Sequence, residues 1–274
     1  MRITILVNNE TIRTDLQAEH GLAVWVDTGA HRVLFDTGAS QALVNNARLL
    51  GIDLARADAV ALSHGHYDHT GGLVDILGLA PHARLYLHPD AILARYSVHP
   101  SRPPKAVGMP EAARHAVEAH TGPVIWVDGP TPVCPGVALT GPVLRSTPYE
   151  DTGGPFFLDS DARLRDLLID DQSVWLDTPK GAVVLLGCAH SGVVNTLQAV
   201  KRSSPSVKIR AVLGGMHLGN ADVSRLYRTA AYLQAQGLGL VGPCHCTGAA
   251  AAQYLTRALP GKVVPLQAGD TLDL

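Results

Sequence analysis

Short β-branched apolar runs, each closed by Gly, Asn or Asp, dominate the first third of the chain: Ile3 to Val7, Leu22 to Val26, Arg32 to Phe35 and Ala59 to Leu62. Runs of this kind predict strands. Between them, Leu43, Ala47 and Leu50 recur at helical spacing within Gln41 to Leu50, and a second helix is expected to start near Gly71. From about Pro89 to Pro155 the pattern gives way to prolines, among them Pro100, Pro103, Pro104, Pro110, Pro123, Pro130, Pro132 and Pro135, around a helical Glu111 to Ala119 and a strand-like Val124 to Val127. Residues 89–155 therefore read as an insertion or lid on a single domain spanning 1–274, not as a linker between independent domains. Strand and helix then alternate: strands at Ser173 to Leu176 and Ala182 to Leu186, helix Val193 to Arg202, strand Arg210 to Leu213, helix Asp222 to Gln236, strand Leu238 to Val241, helix Ala249 to Leu259 and strand Lys262 to Pro265. No repeat of fixed length runs through the chain, which sets solenoids aside.

Composition narrows the class. The 274 residues are 46% apolar and 17% charged, which rules out disordered, collagenous and coiled-coil readings and leaves a globular α/β protein of one large domain or two small ones. A net charge of −2 lacks the positive excess that drives nucleic-acid or anionic-membrane binding, so neither is an expected partner. Lys201, Arg202, Lys208 and Arg210, around Ser203 to Pro205, read as a solvated turn. Four cysteines at irregular spacing do not make a disulfide framework and point to a reducing compartment. Ile3 to Val7 is too short for a secretory leader and no apolar run is long enough to span a bilayer, so a cytoplasmic location is the default expectation. The unusual count is 13 histidines.

One local pattern occurs four times. A potential ligand follows a strand and is itself followed by Thr or Ser and then Gly: Asp36-Thr37-Gly38, His69-Thr70-Gly71, His190-Ser191-Gly192 and Cys246-Thr247-Gly248. A hydroxyl there can cap the next helix and glycine permits a sharp turn. Side chains placed this way gather at the carboxyl ends of strands, where ligand sites of layered α/β folds lie. Four separate regions are thus expected to converge on one cleft.

The densest chemistry is Ser63-His64-Gly65-His66-Tyr67-Asp68-His69-Thr70. Three imidazoles and a carboxylate so close together suit Zn²⁺ and neighbouring first-row ions. In an extended stretch His64 and His66 point the same way, and a turn at Asp68-His69 swings the second pair toward an adjacent point, which predicts two divalent ions. His190, in the third copy of the repeated pattern, is a further ligand candidate. His217, after the apolar Val212 to Met216, either lines the site or is a structural histidine. Cys244 and Cys246 flank His245, and in an extended chain their thiols face away from its imidazole. His20, His31, His82, His88, His99, His115 and His120 have no partnered spacing and read as surface or loop residues.

His64, His66, Asp68 and His69 match in full the His-X-His-X-Asp-His signature of the metallo-β-lactamase superfamily, which the sequence resembles. Phe35 to Gly38 resembles that superfamily's first motif. Gly187 to Gly192, Gly214 to Leu218 and Pro243 to Gly248 resemble a branch of metal-dependent hydrolases similar to dihydropterin-ribofuranosylaminobenzene-phosphate synthase. The resemblance implies a four-layer αββα sandwich with a dinuclear site at one edge, commonly zinc and sometimes manganese or iron. It implies that Asp36 supports the ligands by hydrogen bonding, that His245 is the last metal-binding histidine, that Cys188 stands where the superfamily usually has a bridging Asp, and that Glu150 stands where an intermediate histidine is expected.

Two such ions would lower the pKa of a bound water from 15.7 toward ~7. Asp68 would ligate one ion and orient the attacking oxygen, while helix N-termini after Thr70, Ser191 and Thr247 would favour an anionic small-molecule substrate. Three functions fit: hydrolysis of an ester, lactone or phosphoester; a synthase transferring onto a dihydropterin precursor; or a sensor that binds metal without turnover. Phosphate-loop and dinucleotide fingerprints are absent from the sequence.

Overall fold

The computed structural model describes residues 1–204 and 207–274. Part of the turn read around Ser203 to Pro205 therefore lies outside the described residues.

The chain opens with β1 (Arg2–Val7), β2 (Ala23–Asp27), β3 (Arg32–Phe35), α1 (Ala42–Leu49), β4 (Ala59–Ala61), α2 (Tyr67–Thr70), α3 (Leu73–Leu79) and β5 (Arg84–Leu87). It continues through β6 (Tyr96–Ser97), β7 (Lys105–Ala106), α4 (Glu111–Ala119), β8 (Val124–Trp126), β9 (Thr131–Cys134), β10 (Val137–Leu139) and β11 (Phe156–Phe157). The last part holds β12 (Val174–Leu176), β13 (Ala182–Leu186), α5 (Val193–Ser203), β14 (Ile209–Gly215), α6 (Val223–Ala235), β15 (Leu240–Cys244), α7 (Ala249–Ala258) and β16 (Thr271–Asp273). These elements fall into two compact units.

Unit one comprises 1–128, 154–170 and 267–274. Its main sheet runs β16-β1-β2-β3-β4-β5-β8, and a small sheet runs β11-β6-β7. From β3 to β8 the pairing is parallel, with helices in the connections, so the strands end on a common edge. Leu43, Ala47, Leu73, Ile76 and Ala113 from the helices pack with Leu34, Val60 and Leu85 from the strands. Burial of this kind stabilises by roughly 1.5–3 kcal/mol per large apolar side chain.

Unit two comprises 129–153 and 171–266. Its sheet runs β15-β14-β13-β12-β10-β9, parallel across β13, β14 and β15. Leu197 and Val200 of α5, Leu233 of α6 and Leu255 of α7 pack with Val184, Leu186, Val212 and Val241.

The expected helices are present and most expected strands form, but β5 and β10, both interior to their sheets, and the edge strands β9 and β16 were not anticipated. Edge strand β9 contains Pro132, which an interior ladder would exclude. The proline-rich residues 89–155 supply edge strand β8 to unit one and β9 and β10 to unit two. The strand expected at Lys262 to Pro265 reduces to one bridge between Val241 and Val263: the Val264 and Leu266 amides donate to the Val241 and Pro243 carbonyls at 2.9 and 3.0 Å, but Pro243 has no N–H to donate back. Among the described residues, no helix is long and apolar enough to cross a membrane.

Candidate metal centre

In both units the chemistry sits just past the carboxyl ends of parallel strands. In unit one, Asp36 follows β3, and Ser63 to His69 follow β4. Asp36 is fully buried and has positive φ (59°), which turns its carboxylate back toward the β4 loop. It accepts from the Ser63 amide at 2.7 Å, the Ser63 hydroxyl at 2.7 Å and His69 Nδ1 at 2.7 Å. That last bond fixes the His69 proton on Nδ1 and leaves Nε2 as the donor atom, 3.6 Å from Asp68 Oδ2. The His64 and His66 rings stand 4.6 Å apart between centroids, and His64 lies 4.3 Å from His69. His64, His66, Asp68 and His69 are all buried. This quartet has the donor chemistry of a divalent-ion site.

The loop is braced from behind. Asp170 Oδ2 accepts from the Gly65 amide at 2.7 Å, and Arg95, only 1% exposed, binds Asp170 and Asp166 at 2.8 and 2.7 Å. Burial alone would lower the Arg95 pKa, but the two carboxylates outweigh it and hold it raised. A side chain at Gly65 would strike the Ala91 carbonyl at 2.0 Å, so only glycine lets the backbone pass there.

In unit two the donors come from three strand ends: Cys188 and His190 after β13, His217 after β14 and His245 and Cys246 after β15. His190 Nδ1 donates to the Thr152 carbonyl at 2.8 Å, leaving Nε2 as its donor atom. Asp171 accepts from the His190 and Ser191 amides at 3.1 and 2.8 Å, and burial raises its carboxyl pKa to about 6 against those bonds. Donor atoms of Cys188, His190 and His217 lie within 4.8 Å of one another, as do those of Cys188, His245 and Cys246. The His190 and His217 rings stand 4.3 Å apart.

Several expectations change. Glu150, read as standing in for a metal-binding histidine, instead caps α5: its two oxygens accept from the Val194 and Asn195 amides at 2.8 and 2.9 Å. Two first-turn amides of α5, those of Val194 and Asn195, are thereby taken by a carboxylate of this chain. The Thr and Ser hydroxyls of the repeated pattern are not helix caps. Thr37 donates to the His69 carbonyl at 2.9 Å, Thr70 donates to the His66 carbonyl at 2.9 Å, and Thr247 accepts from the Met216 amide at 3.0 Å. Thr37 and Thr247 thus tie one donor-bearing loop to another, while Thr70 closes its own. Glycine has the role the pattern suggested at Gly38, Gly192 and Gly248, all at positive φ.

Cys246 was read as facing away from His245. His245 instead has positive φ (51°) and opens a 3₁₀ turn, so the chain is not extended and Cys246 swings to the donor side. Its sulfur accepts from the His217 amide at 3.3 Å. Burial pushes the Cys246 thiol up, but hydrogen bonding to Cys188 and the neighbouring His217 and His245 bring it well below the usual thiol value. The repeated pattern had marked this cysteine, since it occupies the ligand position of the fourth copy. His20, read as a surface residue, is more than half exposed yet its Nε2 lies 3.2 Å from Asp68 Oδ2. Forty-eight residues separate the two in the chain, and nothing in the local pattern links them.

The family profile of the metallo-beta-lactamase superfamily matches residues 16–198, which include the buried quartet and Cys188 and His190. The chain belongs to the metallo-beta-lactamase superfamily. It is 27% identical over 241 residues, 84% of this chain and 82% of the relative, to the 7,8-dihydropterin-6-methyl-4-(beta-D-ribofuranosyl)-aminobenzene-5'-phosphate synthase of Methanocaldococcus jannaschii. It is 30% identical to an uncharacterized protein of the same organism, MJ0448, over 90% of both chains. The crystal structure of Tm1679, described as a metal-dependent hydrolase of the beta-lactamase superfamily, superposes with a TM-score of 0.85 at 31% identity, over 100% of this chain and 99% of that one. The α/β architecture is thus that of the metallo-beta-lactamase fold.

Proposed function

We propose that this superfamily member is a metal-dependent hydrolase of a small ester-like, lactone or phosphoester substrate, and that His64, His66, Asp68, His69, Cys188, His190, His217, His245 and Cys246 supply the ligands for two divalent ions, zinc before manganese or iron. The observation that carries this reading is the buried His64/His66/Asp68/His69 quartet, whose donor nitrogen on His69 is oriented by Asp36. Likeness to Tm1679 over the whole chain supports it.

The bound ions would supply water activation and polarisation of the scissile carbonyl or phosphoryl group. The protein's own work is orientation and proton handling. Asp36 holds His69 in one tautomer, and the Thr152 carbonyl does the same for His190. Asp68 is placed to accept the proton of the attacking water, and His20, 3.2 Å away and open to solvent, gives that proton an exit. A cytoplasmic location accompanies the reading.

Stripping metal with a chelator and restoring Zn²⁺ should abolish and then recover turnover on a panel of esters, thioesters, lactones and phosphoesters. Full activity in verified metal-free protein would reject the proposal. A second reading, a synthase joining a dihydropterin precursor to a ribofuranosylaminobenzene phosphate, is favoured by the similarity to the archaeal synthase over most of both chains. Formation of the condensed product from both substrates, with no turnover on the hydrolytic panel, would select it instead.

A further inference from the structure

We propose that Arg225, with Thr229 one turn along α6, anchors a phosphate group of the substrate beside His217, so that the enzyme acts on a small molecule carrying a phosphate monoester away from the bond that is broken. The inference deepens the metal-dependent hydrolase reading and rests on it for the reaction, while the anion site itself is read from unit two alone.

Arg225 is 5% exposed, and its guanidinium is held at one corner, where Nη1 donates to Asp151. Among the described residues, Nε and Nη2 have no partner. Those two N–H groups form the side of the guanidinium that takes two oxygens of an oxyanion at once. The chain uses the same side elsewhere: Arg2 donates from Nε and Nη2 to the two oxygens of Asp273 at 2.9 and 3.4 Å, and Arg13 does the same to Asp15. At Arg225 no carboxylate meets it. Glu150 is near enough to feel the Arg225 charge, but its two oxygens accept instead from the Val194 and Asn195 amides.

Thr229 lies on the same helix face, four residues on, and is fully buried. A helical threonine commonly donates back to the carbonyl four residues earlier, as Thr196 does to Gly192 at 2.8 Å and Thr256 does to Ala252 at 2.9 Å. Thr229 Oγ1 makes no such bond and has no partner among the described residues. Two guanidinium N–H groups and one hydroxyl match the three terminal oxygens of a phosphate monoester, whereas a carboxylate is satisfied by the guanidinium alone.

The site adjoins the donors. The Asp151 carboxylate that holds Nη1 also accepts from the Gly153 amide at 2.8 Å, and a Cβ on Gly153 would overlap the His217 ring at 1.8 Å. Arg225 is thus tied to the loop that lies against His217, whose ring stands 4.3 Å from that of His190. Phosphate would enter from the side of Arg228, which is exposed on the next turn, stands 5.3 Å over the Tyr149 ring and adds a second positive charge. A guanidinium that only braced the Tyr149 to Gly153 loop would have all its donors met by the protein, because charged donors buried without partners cost free energy.

Calorimetric titration of the metal-free full-length chain with inorganic phosphate, at constant ionic strength, tests the site apart from its metals. The wild-type chain should bind phosphate. Arg225→Lys, which keeps the charge but loses the paired N–H groups, should weaken binding about 10–100-fold, and Thr229→Val about 3–10-fold. Either variant serves if the other fails to fold. No phosphate binding by the wild-type chain, or equal binding by Arg225→Lys with an unchanged unfolding midpoint, would overturn the site and leave Arg225 as a brace. Acetate bound as tightly as phosphate would overturn the phosphate in favour of a carboxylate. In the zinc-loaded enzyme, the ratio of kcat/KM for a phosphate-bearing ester to that for its unphosphorylated counterpart should fall about 10-fold in Arg225→Lys; an unchanged ratio would overturn the role toward substrate. Phosphate binding by a chain that turns over nothing on the hydrolytic panel would support the anion site and sink the hydrolase reading alone.

Discussion

The two donor regions reach similar chemistry by opposite routes. Unit one draws His64, His66, Asp68 and His69 from one loop of six residues, and holds that loop by buried carboxylates: Asp36 from one side and Asp170, anchored on Arg95, from the other. Unit two draws its donors from three strand ends and aims them by backbone conformation, with positive φ at Ala189, His217 and His245. A contiguous loop needs charge to stiffen it, because its own local sequence imposes little. Separated donors are stiffened by the sheet that carries them, and the remaining freedom is removed at single strained residues.

The largest expected effect separates ligands from braces. His66→Ala should reduce metal content and activity together, by at least about 100-fold in activity, while far-ultraviolet circular dichroism and the unfolding midpoint stay near wild type. Unchanged metal content would remove His66 from the ligand set. His217→Ala sharpens the contrast: unit one should keep its own metal in that variant, so the loss counted by metal analysis should be partial.

Next comes the brace itself. Arg95→Met leaves Asp166 and Asp170 buried without a counter-charge and should destabilise the chain by about 3–5 kcal/mol in denaturant unfolding. Asp170→Asn, which keeps an oxygen to accept from Gly65, should cost less. A loss under about 1 kcal/mol for Arg95→Met would mean that the ion cluster does not hold the histidine loop.

Unit two has a buried carboxylate too, but it carries a pH signature. Asp171 has its pKa raised from 3.8 to about 6 by burial, so the folded chain keeps a proton there that the unfolded chain has already released. The sign follows: this contribution is full below about pH 4 and is lost as pH rises through about 6, at most about 3 kcal/mol. Denaturant unfolding of metal-free protein at several pH values should show stability falling across that window, and Asp171→Asn should flatten the slope. An unchanged slope in the variant would assign it to other groups.

The same contrast explains what the sequence revealed. The quartet in unit one was legible because its donors are neighbours in the chain, and strand-then-helix periodicity placed them at strand ends. In unit two the strand ends were legible, and the ligand-Thr/Ser-Gly pattern even marked Cys246. Its direction was lost because alternation assumes an extended chain, and a single positive φ at His245 breaks it. His20 beside Asp68, and Asp170 beneath Gly65, depend on contacts across 48 and 105 residues. Periodicity carries no information over such spans. Glu150 was named from its position in the family pattern, which says nothing of the α5 amides of Val194 and Asn195 that its carboxylate accepts from across more than forty residues.

Glu150 therefore gives the smallest and most discriminating test. Its carboxylate does for α5 what an N-terminal capping side chain does, accepting from Val194 and Asn195, yet it comes from a loop more than forty residues upstream. A Cβ on Gly192 would meet its Oε2 at 2.1 Å, so the turn is open there to admit it. Burial raises the Glu150 pKa despite those amide bonds, so part of the capping gain is spent on desolvation. Glu150→Ala should then cost only about 1–2 kcal/mol and lower the melting temperature by about 2–8 °C, with metal content unchanged. Loss of a metal equivalent in that variant, at near-wild-type stability, would make Glu150 a ligand after all, and unit two would then share with unit one the use of carboxylate at its metal site.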